Sequence, residues 1–398
     1  MKDKKKFAAG FGAGVICVLI IGGLLLAGVK LLGPKTVLSD YQHRQKLAYL
    51  EKLIDQYYLE DKDEDQLAEG IYTGLLYGLG DPYSVYYTAD QYKSASESTQ
   101  GEYTGIGVTI TQNDKKETVI VDSYDGGPAD QAGIQAGDIL LAVNGEDVSD
   151  MELAAVTEKI KNASEDHVTL TIQREGEEDS QDIDVSVKEV EIPSVSYEML
   201  DDQIGYIKIS KFTEVTFEQY EAAFDDLKGQ DMERLIIDLR DNPGGLMNSV
   251  CDILRKILPK GLIVYTEDKY GNRTEETCDG DSPLDMPLVV LVNGESASAS
   301  EIFAGAVKDH QVGTIVGTTT FGKGIVQTVR ELDDGSAVKL TVSKYYTPNG
   351  NNIHGVGIQP DVEVELDPNI TDLNEIDHSQ DNQLQKGIEV VKELTGEK

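Results

Sequence analysis

From residue 204 to residue 342, short aliphatic and β-branched runs alternate with amphipathic stretches of helical period, and few folds accept that order. Strands are expected at 204–209, 235–239, 288–292, 314–316, 325–329 and 337–342. Helices are expected at 216–227, 246–258 and 298–307, between the first four strands. The runs 235–239 and 288–292 are almost wholly apolar, as in strands covered on both faces. Such alternation implies an α/β core with at least partly parallel strands. Catalytic groups in cores of this kind sit in loops at the carboxyl ends of strands.

Upstream the period changes twice. Residues 36–100 read helical, with Leu47, Leu50, Ile54, Tyr57 and Tyr58, then Leu67, Ile71, Leu75 and Leu79, at helical spacing. Asp81-Pro82-Tyr83-Ser84 breaks that pattern. From Tyr103 the period becomes two, and a Gly- and Ala-rich stretch follows at 126–144. The expected divisions are 1–35, 36–100, 101–190, 191–365 and 366–398. The last reads as a polar linker with one short helix at 383–394.

The 398 residues carry a formal charge of −37, spread along the chain. Phosphate contacts need Lys or Arg, so nucleic acid is excluded as a partner. The three cysteines and five histidines form no C-x-x-C or H-E-x-x-H pattern, and no metal or organic cofactor is expected. Cys251 and Cys278 are candidates for a disulfide that sequence leaves open. Lys2, Lys4, Lys5 and Lys6 precede an uncharged run at 7–29, longer than the roughly 20 residues needed to span a bilayer. An uncleaved single-pass anchor is expected, with the body outside the cytoplasm; a cleaved signal peptide is the alternative.

Three stretches carry chemistry. Asp238-Leu239-Arg240-Asp241-Asn242-Pro243-Gly244-Gly245 joins a buried strand to a helix. Its glycines either expose N–H groups to an oxyanion or merely turn the chain. Asn293 to Glu301 again joins strand to helix and holds Ser296, Ser298 and Ser300. These are either caps and small packing residues or a set containing one exposed nucleophile. Gly322-Lys323-Gly324 precedes a strand. It lacks the Ser or Thr and the helix that a phosphate-binding loop requires, which argues against a nucleotide site. The lysine is either a turn residue or an amine entering a tight, apolar site.

In this order the three stretches resemble the carboxyl-terminal processing peptidases, the tail-specific serine proteases. Asp81-Pro82-Tyr83-Ser84, Thr347-Pro348-Asn349-Gly350 and Gly357-Ile358-Gln359-Pro360-Asp361 extend the resemblance. It implies a multi-domain α/β protein: an anchor, a helical arm, a PDZ-like β-rich domain and a serine peptidase core. It implies Ser298 as nucleophile, Lys323 as general base, Gln327 as the residue orienting the lysine, and Gly244 and Ala299 as oxyanion donors. Asp309 matches a family acidic position, although a solvated helix residue accounts for it as well.

Residues 101–190 resemble a PDZ domain, with Gly105, Ile106, Gly107 and Val108 in its carboxylate-binding loop. Arg174 either senses an anionic chain end or is a solvated strand-end arginine. The resemblance further implies protein or peptide substrates with accessible C-termini, and homodimerisation through the terminal regions. The rival readings are a binding module on an inactive scaffold and a Ser–His–Asp protease using His310 or His354.

Overall fold

The structure is a computed structural model describing residues 36–394, apart from 114, 163–165, 175, 178, 374 and 375. The run at 7–29 lies outside the described residues. Among those described, no helix is long and apolar enough to cross a membrane. The chain divides at residue 71 into two compact units. In the first, helix Tyr41–Tyr57 begins at Asp40, whose carboxylate accepts the Gln42 N–H at 2.7 Å. Tyr41, Leu47, Leu50 and Tyr57 on this helix are exposed.

The second unit opens with the Asp81–Ser84 turn, β1 (Val85–Tyr87) and helix Ala89–Gln100. A β-rich domain follows: β2 (Glu102–Gly105), β3 (Val108–Gln112), β4 (Thr118–Ser123), β5 (Ile139–Val143), β6 (Glu146–Asp147), β7 (His167–Gln173), β8 (Gln181–Ser186) and β9 (Lys188–Glu191). Its main sheet has the order β3-β4-β5-β7-β8, all antiparallel, while β2 pairs with β9. Alternation along β7 buries Val168, Leu170 and Ile172 in a core of its own with Ile106, Ile120, Leu140 and Val156. Strand β3 lies at one edge of this sheet, against helix Leu153–Lys161.

The remaining strands are β10 (Val195–Leu200), β11 (Ile204–Ile209), β12 (Arg234–Asp238), β13 (Gly261–Asp268), β14 (Arg273–Cys278), β15 (Leu288–Val292), β16 (Thr314–Gly317), β17 (Ile325–Glu331), β18 (Ala337–Tyr346) and β19 (Val362–Glu363). The central sheet runs β10-β11-β12-β15-β16-β19, antiparallel only between β10 and β11. Helices Thr216–Gly229, Met247–Arg255 and Ala299–His310 cover one face, around Ile237, Leu254, Val290 and Phe303. A second antiparallel sheet, β1-β18-β13-β14 with β17 on β18, carries the lysine loop's exit strand.

The other face of the central sheet is covered by helix Asn382–Glu393. Its Leu384, Val390 and Val391 meet Ile204, Tyr206, Ile236, Val289, Leu291 and Val316. The chain's end is therefore a layer of the core rather than a polar appendage, because a sheet apolar on both faces needs two covers. Asp381 caps this helix and also accepts from Arg240 Nη1 and Nη2 at 3.0 and 2.7 Å. Arg240 in turn reaches Asp238, which accepts the Tyr206 hydroxyl at 2.7 Å. Arg240, Asp238 and Asp381 are each at most 2% exposed. Cys251 and Cys278 are both free and buried, so the disulfide left open by the sequence is not formed. Burial pushes the Cys251 thiol up to about 12, which keeps it unreactive.

Candidate active site

The three chemistry-bearing loops leave the carboxyl ends of β12, β15 and β16, which are neighbours in the parallel sheet. Pairing of those strands brings together residues some 85 positions apart. After β12, the fully buried Asn242 donates to Ile209 O at 2.8 Å and accepts the Gly244 N–H at 2.8 Å. Its own carbonyl accepts Ala297 N–H and Ser300 Oγ–H, both at 3.0 Å. Asn242 thus locks the glycine turn onto the serine loop. Gly244, at φ +100°, leaves room for that approach: a Cβ there would stand 2.7 Å from Ser298 Cβ and 2.9 Å from Ala299 N.

The structure distinguishes the three serines by their bonds. Ser296 Oγ donates to Leu239 O at 2.7 Å and accepts Asn293 N–H, and Ser300 Oγ is bound to Asn242 O. Both hydroxyls hold loops together. Ser298 sits at φ 55° and ψ −110°, a conformation an L-residue rarely adopts, at the entrance of helix Ala299–His310. Such backbone strain costs roughly 1–3 kcal/mol and persists only where neighbours over-determine it. Those neighbours are the Tyr345 hydroxyl, which donates to Ser298 O at 3.0 Å, and Glu301, which accepts the Ser298 N–H at 2.9 Å.

Glu301 is fully buried and is the joint of the site. Besides Ser298 N–H it accepts the Thr320 hydroxyl at 2.6 Å, Gly322 N–H at 2.7 Å and Lys323 N–H at 2.8 Å. Four donors on one carboxylate tie the serine turn to the lysine loop and satisfy a charge that burial would otherwise penalise. The Lys323 side chain is half-buried, and its Nζ stands 4.9 Å from the centroid of the Tyr83 ring. Among the described residues that amine makes no hydrogen bond, to Ser298 or to any other group. Burial pushes its pKa down and the Lys339 charge pushes it further. Glu301 and Asp81 pull the other way without restoring the ordinary value.

Other sequence-selected residues make bonds of their own. Gln327 Nε2 donates to Thr341 Oγ1 at 3.3 Å rather than to the lysine. Thr341 N–H in turn donates to Ser84, and Ser84 to Asp81, so Gln327 is joined to the turn that carries Tyr83. Asp309 accepts Asn349 N–H at 2.8 Å and anchors the Thr347–Gly350 turn. The His310 ring is bonded to Leu262 O through Nε2 at 2.7 Å. Ala299 N–H, at the helix entrance, and the N–H of the exposed Gly245 have no partner among the described residues, whereas that of Gly244 is taken by Asn242.

In the β-rich domain, Arg174 makes a two-pronged pair with Asp138, both bonds at 2.8 Å, and also donates to Gly133 O. The Arg174 side chain stays partly exposed above the buried Asp138. Asn242, Glu301 and Tyr83 stand inside the motifs quoted from the sequence, which by themselves give them no role. Glu301 alone had a local signal, standing three residues after a serine at a helix entrance.

Residues 203–364 match peptidase family S41, 119–174 match the PDZ domain, and 33–91 match the N-terminal domain of the activating protease CtpB. A carboxy-terminal-processing protease of Bartonella bacilliformis is 33% identical over 359 residues, covering 87% of this chain and 82% of that one. A CtpA-like serine protease of Staphylococcus aureus is 35% identical over 342 residues, covering 85% of this chain and 68% of that one. A solved S41 protease from Bacteroides fragilis shares the fold, with a TM-score of 0.53 at 15% identity, over 85% of this chain and 93% of that one. The chain belongs to peptidase family S41: it is a carboxy-terminal-processing serine protease carrying a PDZ domain.

Proposed function

We propose that the protein captures the carboxyl terminus of a protein chain through its PDZ domain and hydrolyses that chain with a Ser298–Lys323 dyad. The observation that carries this reading is the strained Ser298 turn, tied through the buried Glu301 to the loop bearing a desolvated lysine. Neutral Lys323 takes the proton from Ser298 Oγ as that oxygen attacks the scissile carbonyl. Ala299 N–H and an N–H of the Gly244–Gly245 turn hold the oxyanion. Collapse breaks the C–N bond, the lysine passes its proton to the departing amine, and an acyl-enzyme remains. Water, deprotonated by the same lysine, then frees the acid and restores Ser298.

A free lysine is neutral in only about one molecule in 2,500 at pH 7, so the depressed pKa is what makes the amine a usable base. Hydrogen bonds between catalytic groups commonly tighten only when substrate binds, and Lys323 is taken to leave Tyr83 for Ser298 at that stage. The lysine cluster before the uncharged run at 7–29 supports a single membrane anchor with the catalytic part outside the cytoplasm. The exposed Tyr41, Leu47, Leu50 and Tyr57 support a homodimer formed through the arm.

Paired peptides differing only in a free or an amidated C-terminus test the reading. Products mapped by mass are expected from both, with kcat/KM at least tenfold higher for the free acid. Equal rates would remove end recognition, and intact peptides in both cases would remove catalysis.

The Tyr83 ring attracts only the ammonium form of Lys323. Around that amine stand Asp81 on the same turn, Glu301, and Lys339 on β18, with His354 facing Asp81. Tyr83→Leu is expected to move the acid limb of the pH–rate profile down by about half a unit to one unit. Tyr83→Phe, which keeps the ring, should leave the limb where it is. An unmoved limb in Tyr83→Leu would show that the ring does not hold the charged amine.

A further inference from the structure

The seat expected to receive a substrate's terminal carboxylate is already filled from within the chain. Gly107 N–H donates to the hydroxyl oxygen of Tyr103 at 3.2 Å, and the neighbouring Val108 amide acts favourably on the same phenol oxygen. These are two consecutive amides of the Gly105–Val108 loop. The Tyr103 ring lies directly across Gly105, where a Cβ would stand 2.2 Å from ring carbon Cε2. Glycine at 105 is therefore what admits the ring. Lys161, at the last turn of helix Leu153–Lys161, stands 5.8 Å from the ring centroid and also pairs with Glu97 at 3.0 Å. The phenol thus occupies the loop end of the trough between β3 and this helix, where an added peptide strand would finish.

We propose that Tyr103 is an internal competitor for the C-terminal carboxylate and so determines which chain ends the PDZ domain accepts. The assignment rests on the end-recognition reading above. A phenol is a neutral acceptor, and hydrogen bonds from the same amides to a carboxylate are roughly twice as strong. A charged chain end displaces the ring oxygen most readily, whereas a mid-chain backbone carbonyl, a neutral acceptor, gains less by doing so. The partly exposed ring has solvent to move into, so displacement needs no opening of the domain core. The device costs affinity for every ligand and favours ends that carry charge.

Calorimetric titration of the full chain carrying Ser298→Ala, which does not consume its ligand, tests the assignment. The probe is a ten-residue peptide ending in two valines, with a free or an amidated terminus. Adding Tyr103→Phe removes the competing oxygen but keeps the ring over Gly105. The free-acid peptide is expected to bind about threefold to tenfold more tightly. A purely packing role for Tyr103 predicts no change, since phenylalanine fills the same space. Unchanged or weaker binding of the free acid, in a protein that still prefers it to the amide, overturns the competitor and spares end recognition. Equal binding of acid and amide in both proteins overturns end recognition and this assignment with it.

Discussion

Lys323→Ala and Ser298→Ala are each expected to lower kcat/KM on an unfolded protein such as casein by roughly 10⁴-fold or more, with the fold retained. A nucleophile and its base act as one unit, so on the dyad reading the double variant should be no worse than either single one. Lys323→Arg is the sharper test. It keeps length and charge, yet a guanidinium does not lose its proton in a protein. If the amine works as a base, arginine is as inactive as alanine; if it works only as a fixed positive charge, arginine restores turnover. The pH profile follows from the same group. A lysine held below its ordinary pKa is inactive as a base while protonated, so kcat/KM should rise with pH through that lowered value and then level off. Substantial turnover by purified Lys323→Ala or Lys323→Arg would end the dyad.

Asp381→Ala is expected to destabilise the protein by about 3–5 kcal/mol, because it strips one partner from a buried ion pair and leaves Arg240 partly uncompensated. The same change removes the cap of helix Asn382–Glu393, which covers one face of the central sheet. A fall of roughly 10 °C in melting temperature would register it. Arg240 also stands four residues before Gly244, so activity should fall at temperatures where the variant is still folded. Asp381→Asn, which keeps an acceptor oxygen, should fall between the two. Burial pushes the Asp381 carboxyl up, but the hydrogen bonds and charge of Arg240 prevail and hold it below the usual carboxylate range. A depressed carboxylate stabilises at neutral pH and loses that contribution as pH falls through its folded value. The gap between wild type and Asp381→Ala should therefore narrow in acid. An unchanged melting temperature at neutral pH would show that the end helix is dispensable.

The two families of contact differ in how far the sequence foretold them. Ser298 and Lys323 were selectable because each sits in a short stretch whose glycines and small residues stand out locally. The choice among Ser296, Ser298 and Ser300 was not available locally, since all three share the same neighbours. The family resemblance singles out Ser298, and strand pairing spends the other two hydroxyls on carbonyls of the β12 loop, leaving Ser298 in a strained backbone conformation. Gln327 and Asp309 are found with bonds of their own to Thr341 and Asn349, and Arg174 is found paired with Asp138. In each case the packed chain supplied the partner, which a family pattern does not specify.

Periodicity alone determined that residues 204–342 build an α/β core, because alternating burial leaves its mark on every second or every third to fourth residue. The order of the glycine, serine and lysine stretches determined the chemistry to look for. Tertiary structure decided how those stretches are joined and what surrounds them. Arg240 meets Asp381 across 141 residues and Ser84 meets Thr341 across 257, and no local pattern records such pairings. Burial makes them matter. A charge or polar group removed from water must find a partner, and that partner is whatever the packed chain brings within 3 Å.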